Sequence, residues 1–330
     1  MTATMADVAR EAGVSASTVS RVFSLPDTVR ADTRERVLAV ARRLDFTPNR
    51  AASSLARGRT RTLGLLVPDV ANPYYAEIVK AVQHRARAKD HALFLADVGD
   101  DPGDGFELAQ AMARQTDGLL LAGPRMTDDM VRALARAGPV ALIGARLAET
   151  DSAYAELGTG MRHVVRHLAA LGHRRIVYVN GTRTARTAGH RQPVREACDE
   201  HGVELVEQLG PFDLTFDNGV AAADLVPVSG ATAVIAHNEM VAHGVAGGLA
   251  RQGRSIPGDF SLVTVDDTFM ARAIHPALTA LHIPLDLMST RGVDLLLRRI
   301  DDPDGEPRHA ALATSLVVRS STAHPGGPAA

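Results

Sequence analysis

Apolar positions in the first sixty residues recur at helical spacing in three short blocks. Thr4 is placed to cap a helix over about Met5–Ala12, with Asp7 in its first turn, Ala6, Val8, Ala9 and Ala12 as small apolar positions, and Gly13 as its end. Ser15 caps a second helix, about Ala16–Phe23, with Val19, Val22 and Phe23 apolar. After a loop at Pro26-Asp27, a third helix capped by Asp32 or Thr33 presents Val37, Leu38, Ala41 and Leu44. Phe46-Thr47-Pro48 breaks the chain. Asn49–Ala56 could form one more helix, whose single long apolar residue is Leu55, and Arg57–Arg61 is a basic linker. From Thr62 the pattern changes. Apolar runs at 63–67, 93–96, 118–121 and 140–143 read as strands, and amphipathic stretches at 74–89, 106–115 and 126–136 read as helices between them. This βαβαβαβ order predicts a parallel sheet covered on both faces. The second half repeats it, with strands at 175–179, 203–209, 233–236 and 262–265, helices at 160–171, 193–201 and 239–252, and a helix at 286–300 that crosses back. The expected architecture is therefore an all-α helix-turn-helix domain over 1–47, a hinge and linker over 48–61, a two-lobed α/β core of doubly wound parallel sheets over 62–319, and a disordered tail over 320–330. Two α/β halves leave a cleft between them, a preferred place for a small ligand.

Charge sharpens this division. Residues 1–62 hold eleven Arg against six acidic residues, a net of +5, while the rest holds 25 basic against 32 acidic, a net of −7. A basic head on an acidic body is the pattern of a chain whose one end meets a polyanion; a solvated Arg-rich surface is the plainer alternative. The single cysteine, Cys198, excludes a disulfide framework within one chain and a cysteine-rich zinc site, and suits a reducing compartment. With neither a basic and apolar leader at the N-terminus nor an apolar run near 18 residues, the chain reads as cytoplasmic, without membrane or cofactor.

The strongest local signal is Asp7–Phe23: two short helices meet at a glycine turn, and the second opens on hydroxyl residues and carries Arg21 one turn later. Such a helix brings its N-terminal end to phosphates and base edges. Ser17 and Thr18 can bond either, and Arg21 can pair in bidentate fashion with guanine. Thr4, Asp7-Val8-Ala9, Ala12-Gly13-Val14-Ser15, Thr18–Val22, Thr33–Val37 and Phe46–Leu55 resemble the N-terminal domain and hinge of the LacI/GalR family of bacterial repressors. The resemblance continues through Val67-Pro68-Asp69, Asn72–Ile78, Asp117–Leu121, Leu171–Ile176 and Pro276–Thr279. It implies a core like a periplasmic sugar-binding protein behind a DNA reader, and a homodimer on a near-palindromic operator. It assigns DNA contacts to Thr4, Ser15, Ala16, Ser17, Thr18, Ser20, Arg21, Asn49, Ala52 and Leu55. Leu55 wedges into the minor groove from a hinge helix too short to persist alone in water.

The resemblance further implies an effector, sugar-like, held by Asn72, Tyr74, Arg146, His190, Arg191, Phe216, Asn238 and Asp266 in the cleft. Asn72, Tyr74, Asn238 and Asp266 follow expected strand ends, although Asn238 and Asp266 are equally placed to cap the next helices. Three departures fall on this side. Asn238-Glu239 stands where the family has Asn-Asp, Ala155-Glu156-Leu157 where it has Val-Asp-Asn, and His190 where its ligand-binding Arg stands, with Arg186 and Arg191 close enough to substitute. The chain lacks a GxGxxG, a P-loop and a GxSxG, and His163 and His167, at i and i+4, read as exposed helix histidines rather than a zinc pair. The reading is an effector-modulated, DNA-binding repressor, not an enzyme and without a bound metal. The alternative is an effector-independent regulator with a degenerate pocket.

Overall fold

The computed structural model describes residues 3–24, 26–46, 59–99, 101–181 and 185–326. The hinge, with Asn49, Ala52 and Leu55, lies outside the described residues. The chain forms two compact units, one of residues 1–62 with Gln115–Asp117, the other of the remainder.

In the first unit, α1 (Met5–Ala12), α2 (Ala16–Ser24) and α3 (Ala31–Arg43) surround a core of Val8, Ala9, Ala12, Val19, Val22, Val37, Val40 and Ala41. Thr4 closes a reciprocal cap: its hydroxyl accepts the Asp7 N–H at 3.3 Å and the Asp7 carboxylate accepts the Thr4 N–H at 3.0 Å. Gly13, at φ +64°, turns the chain, a conformation most side chains resist. α3 begins earlier than expected. Arg30 precedes it without a side-chain cap, and Asp32 accepts from its own neighbour, the Thr33 N–H, at 2.8 Å. Glu11 and Arg43 join α1 to α3 at 2.7 Å.

The second unit holds two six-stranded sheets. The first lobe contains β1 (Thr62–Val67), α4 (Pro73–Ala88), β2 (Ala92–Asp97), α5 (Pro102–Ala113), β3 (Gly118–Ala122), α6 (Asp128–Ala137), β4 (Val140–Ile143) and β5 (Asp151–Glu156). After α7 (Leu157–Ala170) the chain enters the second lobe: β6 (Arg175–Gly181), α8 (Ala185–His201), β7 (Glu204–Phe212), α9 (Phe216–Ala223), β8 (Ala233–Ala236), α10 (Glu239–Arg251), β9 (Ser261–Val265), α11 (Phe269–Ala273) and β10 (Thr279–His282). It returns through α12 (Leu285–Asp301) to β11 (His309–Ala313) and ends on β12 (Ser315–Val317). The orders are β11-β5-β4-β3-β1-β2 and β12-β10-β9-β8-β6-β7, and β12 runs antiparallel to β10. β1, β3, β4, β8 and β9 are buried along their whole length, as strands covered on both faces must be.

The chain thus passes between the sheets three times: through α7, through α12, and at Thr314 between β11 and β12. At that last crossing the Thr314 hydroxyl donates to the Glu156 carbonyl at 3.0 Å. Gly160 lies so close against it that a Cβ would collide with the Thr314 Oγ1.

Two expectations are corrected. The stretch from Ser320 is ordered as far as Gly326: Ser321 is fully buried, its hydroxyl donating to the Leu262 carbonyl at 2.6 Å and accepting the Thr279 N–H at 2.7 Å. His163 and His167 are half-buried, and His167 Nε2 lies 2.9 Å from the Thr322 hydroxyl.

Candidate DNA-reading face and effector cleft

The N-terminal turn of α2 is organised by hydroxyls. Ser15 Oγ accepts the Thr18 N–H at 3.1 Å and lies 2.8 Å from Ser17 Oγ and 2.9 Å from Thr18 Oγ1. Ala16, Ser17 and Arg21 are exposed; Thr18 and Ser20 are half-buried. Among the described residues no carboxylate pairs with Arg21. Val19 and Val22 anchor the opposite face of the helix in the core, so the exposed set is presented rigidly. Thr4 is exposed, but its hydroxyl donates to Asp7 at 2.6 Å and so belongs to the α1 cap.

The cleft is built from strand ends of both lobes. Asn72 follows β1, and its amide oxygen accepts the Tyr74 N–H at 3.1 Å to cap α4. Tyr74 stacks edge-on against Tyr75, with ring centres 5.1 Å apart. Burial and the negative charge of Asp266, across in the second lobe, push the Tyr74 phenol well above its ordinary range. Asn238 follows β8; its oxygen caps α10 through the Val241 N–H at 2.9 Å and its amide donates to the Leu214 carbonyl at 3.4 Å. Helix capping, the plainer sequence alternative, is thus what the Asn238 oxygen does.

Asp266 follows β9 with φ +74°, left-handed backbone for a residue with a Cβ. It is buried, and burial, followed by the charges of Glu239 and Glu77, raises its carboxyl well above the usual carboxylate value of 3.8. Two neighbours are not legible in sequence as site residues. Tyr178 on β6 donates to, or accepts from, His237 Nδ1 at 2.8 Å, and both side chains are buried. The Tyr178 phenol is raised by burial and by Asp266. A tyrosine inside an apolar strand needs a partner for its hydroxyl, and the histidine just before Asn238 supplies it. Glu239, which replaces the family's Asp, is buried and holds the chain after β9. Its carboxylate accepts the Thr268 N–H at 2.6 Å and the Thr268 hydroxyl in a short bond.

Among the described residues, the side chains of Arg146, Arg191 and Phe216 are joined to this group by no hydrogen bond or ion pair. Arg146 is exposed, with its guanidinium 5.9 Å from the centre of the Tyr154 ring. Phe216, the first residue of α9, is exposed. Arg191 is half-buried on α8, and the side chains of His190 and Arg186 lie outside those described. The cleft described is thus a carboxylate, two amides, two phenols and an imidazole: donors and acceptors suited to hydroxyl groups, with aromatic faces beside them.

Replacing Asp266 by Asn is expected to raise the thermal midpoint of the unliganded protein. Asn tolerates left-handed backbone and carries no charge to desolvate. Because the folded value is raised, the native state binds more protons than the unfolded state between 3.8 and that value. The stability of the parent therefore falls as pH rises through this window. The advantage of the Asn variant is full above the window and vanishes below it, and melting curves across pH measure it. An equal advantage at all pH values would show that the gain is conformational alone.

Among the described residues no helix is long and apolar enough to cross a membrane. Residues 4–49 match the model of bacterial regulatory proteins of the lacI family, and residues 165–322 match the periplasmic binding protein-like domain. The HTH-type transcriptional regulator CelR of Thermobifida fusca is 33% identical over 96% of this chain and 98% of its own. The ribose operon repressor of Haemophilus influenzae is 31% identical over 97% and 98%. Among solved structures, the lac repressor dimer bound to operator and the anti-inducer ONPF superposes with a TM-score of 0.86 at 26% identity, covering 98% of this chain and all of that one. The CelR–cellobiose complex gives 0.71 at 30% identity, covering 97% and 99%. These relatives are named regulators rather than enzymes. With a helix-turn-helix head, a periplasmic-binding-protein-like core and full-length identity above 30%, the chain belongs to the lacI family of bacterial transcriptional regulators.

Proposed function

We propose that the protein is a cytoplasmic, non-enzymatic repressor that binds a near-palindromic operator as a homodimer, and that a small polyhydroxylated effector in the interlobe cleft sets its DNA affinity. The observation that carries the reading is the exposed N-terminal turn of α2, with Ala16, Ser17 and Arg21 free of the core. In this reading α2 enters the major groove, Thr4, Ser15, Ser17, Thr18 and Ser20 hold phosphates or base edges, and Arg21 reads guanine. Asn49, Ala52 and Leu55 serve the minor groove. One short helix reads a half-site, so two copies are required. A second copy also suits Phe94 and Leu95, adjacent and 46% and 44% exposed on the edge strand β2, and Val228, 81% exposed. Cellobiose on CelR and the ribose operon named for the Haemophilus relative support a sugar as effector. Tyr74 and Asp266 would take its face and its hydroxyls.

The test is binding to a duplex selected from a random pool, together with a thermal-shift screen of sugars and nucleosides. Arg21→Ala is expected to cost about 1–3 kcal/mol on the selected site, roughly 5- to 150-fold in Kd, and to relax one base position. Full retained specificity would remove Arg21 from the reader. A screen in which no compound moves the midpoint, with operator binding intact, would favour the effector-independent alternative.

A further inference from the structure

The edge of the second lobe formed by β12 and α7 departs in charge from the rest of the core. β12 is the last strand of its sheet, paired with β10 on one side: Ala280 with Val317, Leu281 with Leu316 and His282 with Ser315. In an antiparallel ladder alternate residues turn their N–H and C=O to opposite sides, so an edge strand presents unpaired backbone groups. Beside that edge runs α7. One face of the helix, His163, Arg166, His167 and Ala170, and two residues of the strand, Ser315 and Leu316, line an open groove of about 560 Å³. Both walls are free of acid. The chain has no Asp or Glu over 157–195 or over 307–330, although the residues after Thr62 carry 32 acidic against 25 basic. The acid nearest to α7 along the chain, Glu156, is engaged as its cap and accepts the Gly158 and Thr159 N–H groups at 2.7 and 3.2 Å. His167 is held by the Thr322 hydroxyl at 2.9 Å. Arg166 is exposed and His163 half-buried, and among the described residues no carboxylate pairs with either.

We propose that this groove is a docking site for a partner protein, which lays an extended acidic segment along β12 as an added strand, with its carboxylates on Arg166 and His163. A helix beside an open strand edge gives such a segment a backbone template on one side and side-chain contacts on the other. Main-chain bonds supply affinity and register, and the charges select the partner. Leu316 lines the groove, and Val318, two residues on, is 55% exposed, so apolar side chains of the added strand find apolar neighbours. The undescribed stretches 47–58 and 327–330 of this chain contain no acid and do not provide the occupant. The site uses none of the residues of the α2 reader or of the effector cleft, and the proposal depends on neither.

The test is fluorescence anisotropy of the full chain with a labelled peptide of about eight residues alternating Val and Glu, enough to cover a strand of ordinary length. Saturable binding is expected. A peptide alternating Pro and Glu keeps every carboxylate but lacks half of the backbone donors, and is expected not to bind. Arg166→Glu and His163→Glu, each on the groove face of α7, are expected to weaken the Val-Glu peptide about tenfold, because like charges then face each other. Arg166→Lys keeps the charge and is expected to retain binding. Melting midpoints equal to the parent's show that the variants are folded, and operator binding by Arg166→Glu is expected to match the parent, so failure of the DNA reading shows separately. No binding of the Val-Glu peptide would overturn the proposal. So would equal binding of the Pro-Glu peptide, which would make the groove a general basic patch, or parent-like affinity in both charge reversals. A higher oligomer of the parent in light scattering that Arg166→Glu dissolves would assign the edge to a second copy and overturn the acidic partner.

Discussion

Replacing Asp151 with alanine is expected to destabilise the core by about 3–5 kcal/mol, the range for removing one partner of a buried ion pair. Asp151 opens β5 and is 0% exposed. One oxygen accepts Arg298 Nη2 at 2.6 Å and the Arg308 N–H at 2.8 Å; the other accepts Arg299 Nε at 2.7 Å. Both arginines leave the last turn of α12, and they also bind the carbonyls of Pro303, Gly305 and Glu306. One carboxylate therefore fixes the start of β5, the end of α12 and the loop into β11, where the chain returns to the first lobe. Its own desolvation is offset only by these partners. Without it, two largely buried guanidiniums lose their counter-charge, and that loss outweighs the relief of removing the anion. Urea unfolding measures the cost. Asp151→Asn is expected to cost less, since its oxygen still accepts one bond. A midpoint within experimental error of the parent for Asp151→Ala would refute the network.

The same residues show why part of the fold is not legible in sequence. The central strands can be read because they are continuous apolar runs, such as Leu119-Leu120-Leu121 in β3. Asp151–Glu156 is polar at both ends, and what buries it is the arginine pair on α12, some 147 residues away. The segment from Ser320 has the composition of a tail, yet its order comes from Ser321 and Ala323 bonding to β9, β10 and His173. Local pattern carries no trace of partners at such separations. The start of α3 is misleading for another reason: Asp32 looks like a cap, but the helix begins before it and its carboxylate turns to Thr33.

The candidate site divides along the same line. The hydroxyl turn and Arg21 are visible because a helix-turn-helix is local, and its core positions follow a single period. In the cleft, strand ends and family resemblance place Asn72, Tyr74, Asn238 and Asp266. Tyr178 and His237 carry as much of its polar structure and escape a reading of the sequence. These groups act through residues of other elements: His237 through Tyr178 and Glu239 through Thr268. The change from Asp to Glu at 239 stands out in sequence as a departure from the family, and the structure supplies its use, a carboxylate long enough to reach the Thr268 loop.

Operator affinity is expected to fall by about 10³- to 10⁵-fold between 50 and 200 mM salt, the range for a protein that neutralises 6–10 phosphates. The positive charge that produces this lies in the head. Its eleven arginines face six acidic residues, while the remainder of the chain carries an excess of acid. Some of that charge is already matched, since Arg10 lies 2.5 Å from Asp7 and Arg43 lies 2.7 Å from Glu11. Two heads therefore supply the count more readily than one, and the slope of log Kd against log salt, measured by anisotropy on a selected duplex, is expected near 5–9. A slope below about 2 would mean that the basic face does not lie on the phosphates, and the reader would have to be sought elsewhere. The same plot decides the role of Arg21. If Arg21 bonds a base, Arg21→Ala weakens binding at every salt concentration and leaves the slope unchanged. If it bonds a phosphate, the substitution lowers the slope by about one unit and weakens all sequences alike. With Arg21 on the exposed face of α2, one turn behind the Ser15–Thr18 hydroxyls, the first pattern is expected.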